Sequence, residues 1–276
     1  MNVVITGSTR GIGLGMALEF LARGHDVMVS GRDRDSVQAT VESLGNAFPQ
    51  QTVYGCACNV DREADVQALW DEAVRTFPAV DIWINNAGRN NPKQRVEEME
   101  LAEFEGTLHT NLMGIVNGSV IALRGMLKQG SGWIFNMEGF GSEGMIGVDQ
   151  VPYGLSKYGL RYFTKALVKT VKDMPVKVGY LSPGIVTTEM AVPRKENRGE
   201  FFATNKKFLN IMADHVETVT PWLVEKILQA CAKPAANGVA IRWMSLPRAA
   251  GRFIGSLFRK RRVIEEAMER LDRSGS

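Results

Sequence analysis

The chain has 276 residues, 45% of them apolar and 23% charged, the profile of a folded globular protein with a sizeable core. A net charge of +3, with Lys and Arg spread along the chain, gives no reason to expect nucleic acid as a partner. No apolar run reaches the roughly 18 residues of a membrane span, and Cys56, Cys58 and Cys231 form neither a disulfide framework nor a metal spacing.

Met1 leads straight into the apolar run Val3-Val4-Ile5, which leaves no room for a leader and points to the cytoplasm. Short β-branched runs predict strands near 2–6, 26–30, 51–56, 81–84, 132–137, 176–182 and 239–242. Between them, amphipathic stretches predict helices near 11–23, 34–47, 62–77, 97–128 (broken), 152–173 and 217–232. This alternation predicts βαβ units and an α/β fold: a Rossmann-type, doubly wound parallel sheet of about seven strands with helices on both faces. Residues 1–246 read as one catalytic domain and 247–276 as a helical extension of it. The segment 191–212, charged and punctuated by Pro193 and Gly199, reads as a mobile lid. His25, His109 and His215 show no ligand spacing, so no metal is expected.

Strand one runs into Thr6-Gly7-Ser8-Thr9-Arg10-Gly11-Ile12-Gly13 and then into a helix. Glycines at 7, 11 and 13 allow a tight turn and close approach of a pyrophosphate to the backbone. The helix N-terminus offers free N–H groups and a positive dipole end to the phosphates. A dinucleotide with a free ribose 2′-hydroxyl wants a carboxylate at the end of strand two, yet the chain reads Val29-Ser30-Gly31-Arg32 before Asp33. Arg32, joined by Arg10, suits a 2′-phosphate, so NADPH is expected, with NADH the alternative.

Tyr153 and Lys157 lie four residues apart on one helical face. An ammonium beside a phenol lowers the phenol's pKa towards the working range of a general acid. Together with Asn85-Asn86-Ala87-Gly88, Asn111 and Ser182-Pro183-Gly184-Ile185-Val186-Thr187-Thr188, this chain resembles the short-chain dehydrogenase/reductase family over most of its length. The resemblance implies that Tyr153 protonates a carbonyl oxygen as hydride arrives, that Lys157 also binds the nicotinamide ribose, and that Asn111 holds a relay water. It implies a cofactor held by Gly7, Ser8, Thr9, Arg10, Gly11, Ile12, Gly13, Arg32, Asn59, Val60, Asn86, Ala87, Gly88, Tyr153, Lys157, Pro183, Gly184, Val186 and Thr188. It also implies a homodimer or homotetramer built on the two long helices. Where the family usually places a serine, this chain has Gly139, and Ser142 is the nearest hydroxyl that could replace it. Glu138 is an alternative polar contact.

The stretch Phe135-Asn136-Met137-Glu138-Gly139-Phe140-Gly141-Ser142 is similar to that of the chlorophyll b reductases. So are Asp81–Gly88, Tyr153–Arg161, Phe208–Asp214 and Trp222–Val224. The resemblance implies reduction of the formyl group of chlorophyll(ide) b to hydroxymethyl. The alternatives are another hydrophobic ketone or aldehyde, or a silent nucleotide-binding scaffold. Met145, Met190, Phe201, Phe202, Phe208 and Met212 are candidates for an apolar wall around a large flat substrate.

Residues 247–262 combine Phe253, Ile254, Leu257 and Phe258 with Arg248, Arg252, Arg259, Lys260, Arg261 and Arg262. At helical spacing this gives a basic amphipathic helix, suited to peripheral contact with an anionic, photosynthetic-type membrane or to packing on its own domain or on another subunit.

Overall fold

The computed structural model describes residues 1–192, 200–233 and 237–274, the side chains of 200–204 and 274 excepted. The chain alternates β1 (Asn2–Ile5), α1 (Gly11–Ala22), β2 (Asp26–Gly31), α2 (Arg34–Ala47), β3 (Val53–Ala57), α3 (Glu63–Thr76) and β4 (Ile82–Asn85). It continues through α4 (Leu101–Leu108), α5 (Gly114–Gln129), β5 (Gly132–Met137), α6 (Val151–Thr170) and β6 (Val176–Ser182). After β7 (Ile185–Val186) come α7 (Glu200–Met212), β8 (Ala213–Asp214), α8 (Val216–Ala232), β9 (Val239–Arg242), α9 (Leu246–Gly255) and α10 (Val263–Ser274).

Seven strands form one parallel sheet in the order β3-β2-β1-β4-β5-β6-β9. Successive side chains of a strand face opposite ways, so both faces must be covered. Val3, Ile5, Ile82 and Ile84 bury on one face with Phe20 of α1 and Leu223 of α8. Val4, Trp83 and Ile134 bury on the other with Trp70 of α3 and Met126 of α5. The order reverses between β1 and β4, and in such sheets ligands bind beyond the carboxyl ends at that point.

The break expected within 97–128 is a π-helical turn at His109–Met113, where an extra residue bulges between α4 and α5. Neither β7 nor β8, a parallel pair of two residues each, was expected. Of the expected lid, Pro193 and Gly199 lie outside the described residues, and its C-terminal part is α7.

The tail departs from a single basic helix over 247–262. Ser245 caps α9, accepting the N–H of Arg248 at 3.3 Å, and the helix ends at Gly255-Ser256, two poor helix formers. The chain then turns and re-enters the body with Val263 and Ile264, buried on Ala213. Its cations are not all presented outward. Arg252 Nη2 lies 2.7 Å from Asp214 Oδ2, and Arg261 Nη2 lies 2.8 Å from Asp214 Oδ1. Asp214 is buried and also accepts the indole N–H of Trp243 at 2.6 Å, so one carboxylate is held by three donors. Burial of an acid is tolerable only with such partners.

Candidate active site

The loops after β1, β4 and β5 and the first turns of α6 converge beyond the sheet reversal. Gly7 has φ +62°, a left-handed conformation that favours glycine. A Cβ there would stand 2.8 Å from the Cα of Ala87, so the loops after β1 and β4 meet backbone to backbone. Asn86 fastens this contact: its Nδ2 donates to the carbonyls of Thr6 and Gly7, both at 2.9 Å. Thr6 Oγ1 in turn accepts the N–H groups of Asn86 and Ala87 at 3.0 and 3.1 Å. Thr188 closes the far side, its Cγ2 3.3 Å from a Cβ built on Gly11.

Helix α1 begins at Gly11, and Arg10 at its N-cap makes no side-chain capping bond, which leaves the first-turn N–H groups to a ligand. A bare glycine turn opening onto an uncapped helix start fits a dinucleotide pyrophosphate. The Ser8 side chain does not belong to that surface. It is fully buried, donating to Ile5 O at 2.7 Å and accepting Ser30 N–H at 2.9 Å, and so ties β1 to β2. After β3, Asn59 Oδ1 accepts the N–H of Asp61 at 3.2 Å, and Val60 is buried against Gly114.

Asp33, the first carboxylate after β2, is committed to helix α2, its Oδ1 accepting the N–H of Ser36 at 2.8 Å. The Ser36 hydroxyl, donating to the same oxygen at 2.5 Å, and then that N–H hold its carboxyl below the usual range. Arg32, directly after β2, is exposed and makes no ion pair among the described residues. Arg10, the second arginine expected at a 2′-phosphate, has its Nη1 2.6 Å from Glu189 Oε2. Exposed pairs of this kind are worth at most about 1 kcal/mol, so an incoming phosphate competes with this one readily.

Tyr153 and Lys157 occupy the first turns of α6, started by Pro152. Asn91 Oδ1 accepts the N–H of Tyr153 at 3.2 Å, securing the helix start to the loop after β4. Lys157 is buried, donates to Met137 O at 3.1 Å and lies 5.7 Å from the centre of the Tyr153 ring. The expected lowering of the phenol's pKa is not found. Burial disfavours the phenolate and pushes Tyr153 up to about 12. Burial likewise lowers Lys157 to about 8, against the opposing charge of Glu138. At neutral pH the pair is therefore a protonated phenol beside an ammonium, both ready to interact with a carbonyl oxygen.

Asn111 is fully buried in the π-helical turn, the kind of distortion often found at functional sites. Its Oδ1 accepts the N–H of Arg89 at 2.7 Å, while its Nδ2 donates to Arg89 O at 2.8 Å and Ser156 Oγ at 3.2 Å. The side chain thus joins the loop after β4 to α6. A Cβ on Gly88 would lie 3.2 Å from that Oδ1, which puts Gly88 at the same junction.

Gly139 faces the phenol directly: a Cβ there would stand 2.5 Å from the Tyr153 hydroxyl. Ser142 is buried in the turn below, its Oγ accepting the N–H of Gly139 at 3.1 Å. It shapes the turn that carries Gly139, and its O–H remains a donor. Glu138 is buried with Oε1 2.5 Å from Arg161 Nη1, while Oε2 has no hydrogen-bond partner among the described residues. Arg161 and Arg242 also meet Glu143, at 3.3 and 2.7 Å. Desolvation leaves the Glu138 carboxyl above its ordinary range in spite of Arg161.

Pro183 and Gly184 follow β6, and Val186 is buried in β7. Thr187 donates its N–H to Asp214 O at 2.9 Å, so the loop that closes on Gly11 hangs from the same residue that Arg252 and Arg261 hold. Asn91 and Asp214 escaped sequence reasoning: a lone Asn in a polar loop and a lone Asp after a helix carry no spacing signal.

Residues 1–199 match the family model for short chain dehydrogenase. The chain is 33% identical over 281 residues to a probable chlorophyll(ide) b reductase of Arabidopsis thaliana, covering 96% of this chain and 55% of the relative. It therefore spans little more than half the length of that relative. It is 35% identical over 250 residues to a chlorophyll(ide) b reductase of Oryza sativa subsp. japonica, covering 88% of this chain and 71% of the relative. Among solved structures, the closed form of a serine dehydrogenase complexed with NADP+ superimposes with a TM-score of 0.72 at 25% identity, over 90% of this chain and 96% of that one. With the glycine cradle in place and Tyr153 beside the buried Lys157, the chain belongs to the short-chain dehydrogenase family of nicotinamide-dependent oxidoreductases.

Proposed function

We propose that this protein is an NADPH-dependent reductase of the formyl group of a chlorophyll(ide) b-type tetrapyrrole. The observation that carries the reading is the identity to two chlorophyll(ide) b reductases over 88% or more of this chain, with Tyr153 and Lys157 side by side at the start of α6. NADPH rests on Arg32 standing where a carboxylate would be needed for NADH, and on Asp33 being spent as a helix cap. When bound, the reduced nicotinamide supplies a hydride.

Tyr153 transfers its phenolic proton to the carbonyl oxygen as negative charge develops there. Lys157, held by Met137 O, places its ammonium near that charge and stabilises the phenolate left on Tyr153. Gly139 leaves open the space in front of the phenol that a side chain would fill, which suits a formyl group on a bulky ring. Phe140, Met145, Ile146 and Val148 after β5 and Met190 after β7 are exposed and supply an apolar wall. Of the other expected wall residues, Phe208 is exposed, Met212 is half-buried, and the side chains of Phe201 and Phe202 lie outside the described residues.

The test is to incubate the purified protein with NADPH and chlorophyllide b and to separate the pigments by chromatography. The hydroxymethyl product is expected. Tight NADPH binding without pigment turnover would overturn the substrate and leave a reductase of another hydrophobic carbonyl.

A further inference from the structure

The C-terminal segment 246–262 presents its polar and apolar groups in an order opposite to that of a helix packed on its own domain. Such a helix turns its apolar side chains inward and its cations outward. Here three cations serve as the inward anchors. Arg252 and Arg261 grip the buried Asp214, and Arg248 lies 3.8 Å over the Trp243 ring and donates to the carbonyl of Trp243. With the arginines turned in, the apolar side chains are left out: Leu246 is 88% exposed, Leu257 80% and Phe258 86%, with Ile254 beside them. Phe253 continues the ridge to Phe208 of α7, ring centres 6.4 Å apart.

Arg259, Lys260 and Arg262 follow Phe258 directly and are exposed. Arg259 and Lys260 make no ion pair among the described residues, and Arg262 has only a 3.8 Å approach to Glu269 between two exposed groups. No Asp or Glu occurs between 247 and 262. Large apolar tips flanked by exposed cations, with no acid in the segment itself, complement a surface that is apolar below and anionic above.

We propose that this ridge docks the protein on the surface of an anionic lipid bilayer, with Leu246, Ile254, Leu257 and Phe258 entering the interface and Arg259, Lys260 and Arg262 meeting the headgroups. None of these side chains takes part in the cofactor or catalytic site, so the proposal stands independently of the substrate assigned above. It differs from a membrane span: no helix among the described residues is long and apolar enough to cross a bilayer. The ridge also has a route to the site, because α9 packs on α7, which leads into β8, the partner of the loop that closes on Gly11.

The experiment is co-sedimentation of the full chain with vesicles of phosphatidylcholine alone and of phosphatidylcholine mixed with phosphatidylglycerol, at low and high salt. Light scattering of the free protein is run in parallel. Binding to the mixed vesicles, at least tenfold weaker on phosphatidylcholine alone and weakened by salt, is expected. Leu257→Ser with Phe258→Ser should reduce it at least tenfold, and Arg259→Glu with Lys260→Glu should abolish it, with NADPH binding unchanged in both. Tyr162→Ser, an exposed change elsewhere on the surface, should have no effect. No binding to the mixed vesicles would overturn the proposal, as would equal binding by both double variants. A Leu257→Ser, Phe258→Ser protein that only changes oligomeric mass would also overturn it and assign the ridge to contact between copies.

Discussion

A Cβ atom added to Gly139 would lie 2.5 Å from the hydroxyl of Tyr153, closer than any side chain tolerates without movement. Gly139→Ala should therefore push the phenol from its place. A displacement of about 1 Å in a reacting group can cost roughly a hundredfold in rate. Turnover should fall by roughly ten- to a hundredfold with cofactor affinity unchanged, measured by steady-state kinetics and NADPH fluorescence titration.

Tyr153→Phe removes the phenolic proton assigned to the carbonyl oxygen and leaves the ring. General acid catalysis is worth about 10²–10⁴ in rate. A loss of that order in turnover, with the same thermal midpoint and the same NADPH affinity, is the expected result. Retention of full activity would remove Tyr153 from its role.

The pH profile should report Lys157. Burial lowers its pKa to about 8, so the ammonium is present below that pH and lost as pH rises through it. Reduction should therefore decline above about pH 8. Tyr153, raised to about 12, stays protonated through that window and does not contribute to the decline. The charge of Glu138 opposes the lowering of Lys157, so Glu138→Gln should move the decline to lower pH. A profile unchanged in Glu138→Gln would show that the two groups are not coupled.

Asp214→Ala leaves Arg252 and Arg261 without their shared carboxylate and frees the indole of Trp243. Hydrogen bonds to a buried charge and removal of one partner of such a pair support a loss of about 2–3 kcal/mol. That corresponds to a fall of roughly 5–10 °C in the melting midpoint. Because Thr187 also bonds Asp214 O, NADPH affinity should fall with it, which calorimetry and fluorescence titration would measure side by side.

Arg32→Ala tests cofactor choice. One charge-assisted contact to a phosphate is worth about 1.5–3 kcal/mol. The preference for NADPH over NADH should fall by roughly ten- to a hundredfold. An unchanged ratio of kcat/KM for the two cofactors would return the selection to Arg10 or to the backbone.

The seven strands of the main sheet were legible because several, such as β1 and β4, are nearly continuous apolar runs buried throughout or nearly so, as a sheet covered on both faces demands. β7 and β8 were not: two residues each give no periodicity, and their pairing joins positions 28 apart. The cations and apolar groups of the tail were readable as a pattern, but their orientation was not. Whether Arg252 and Arg261 face in or out depends on Asp214, whose burial no local pattern announces. The direction of the Tyr153 shift failed for the same reason, since spacing shows that Lys157 is near while only the fold shows how little water reaches the pair. The bracing of the glycine loop by the Asn86 side chain was not legible either, because an amide in a motif does not announce which backbone carbonyls it will meet.

The most direct test of the central claim is to follow a single deuterium from NADPH labelled at its transferable nicotinamide position, using chlorophyllide b as acceptor and the wild-type and Tyr153→Phe proteins in parallel. The account predicts that the label appears on the carbon of the new hydroxymethyl group, rapidly with the wild-type protein and at least a hundredfold more slowly with the variant. Label found on another carbon, or an unlabelled formyl group with a different carbonyl reduced in its place, would contradict it.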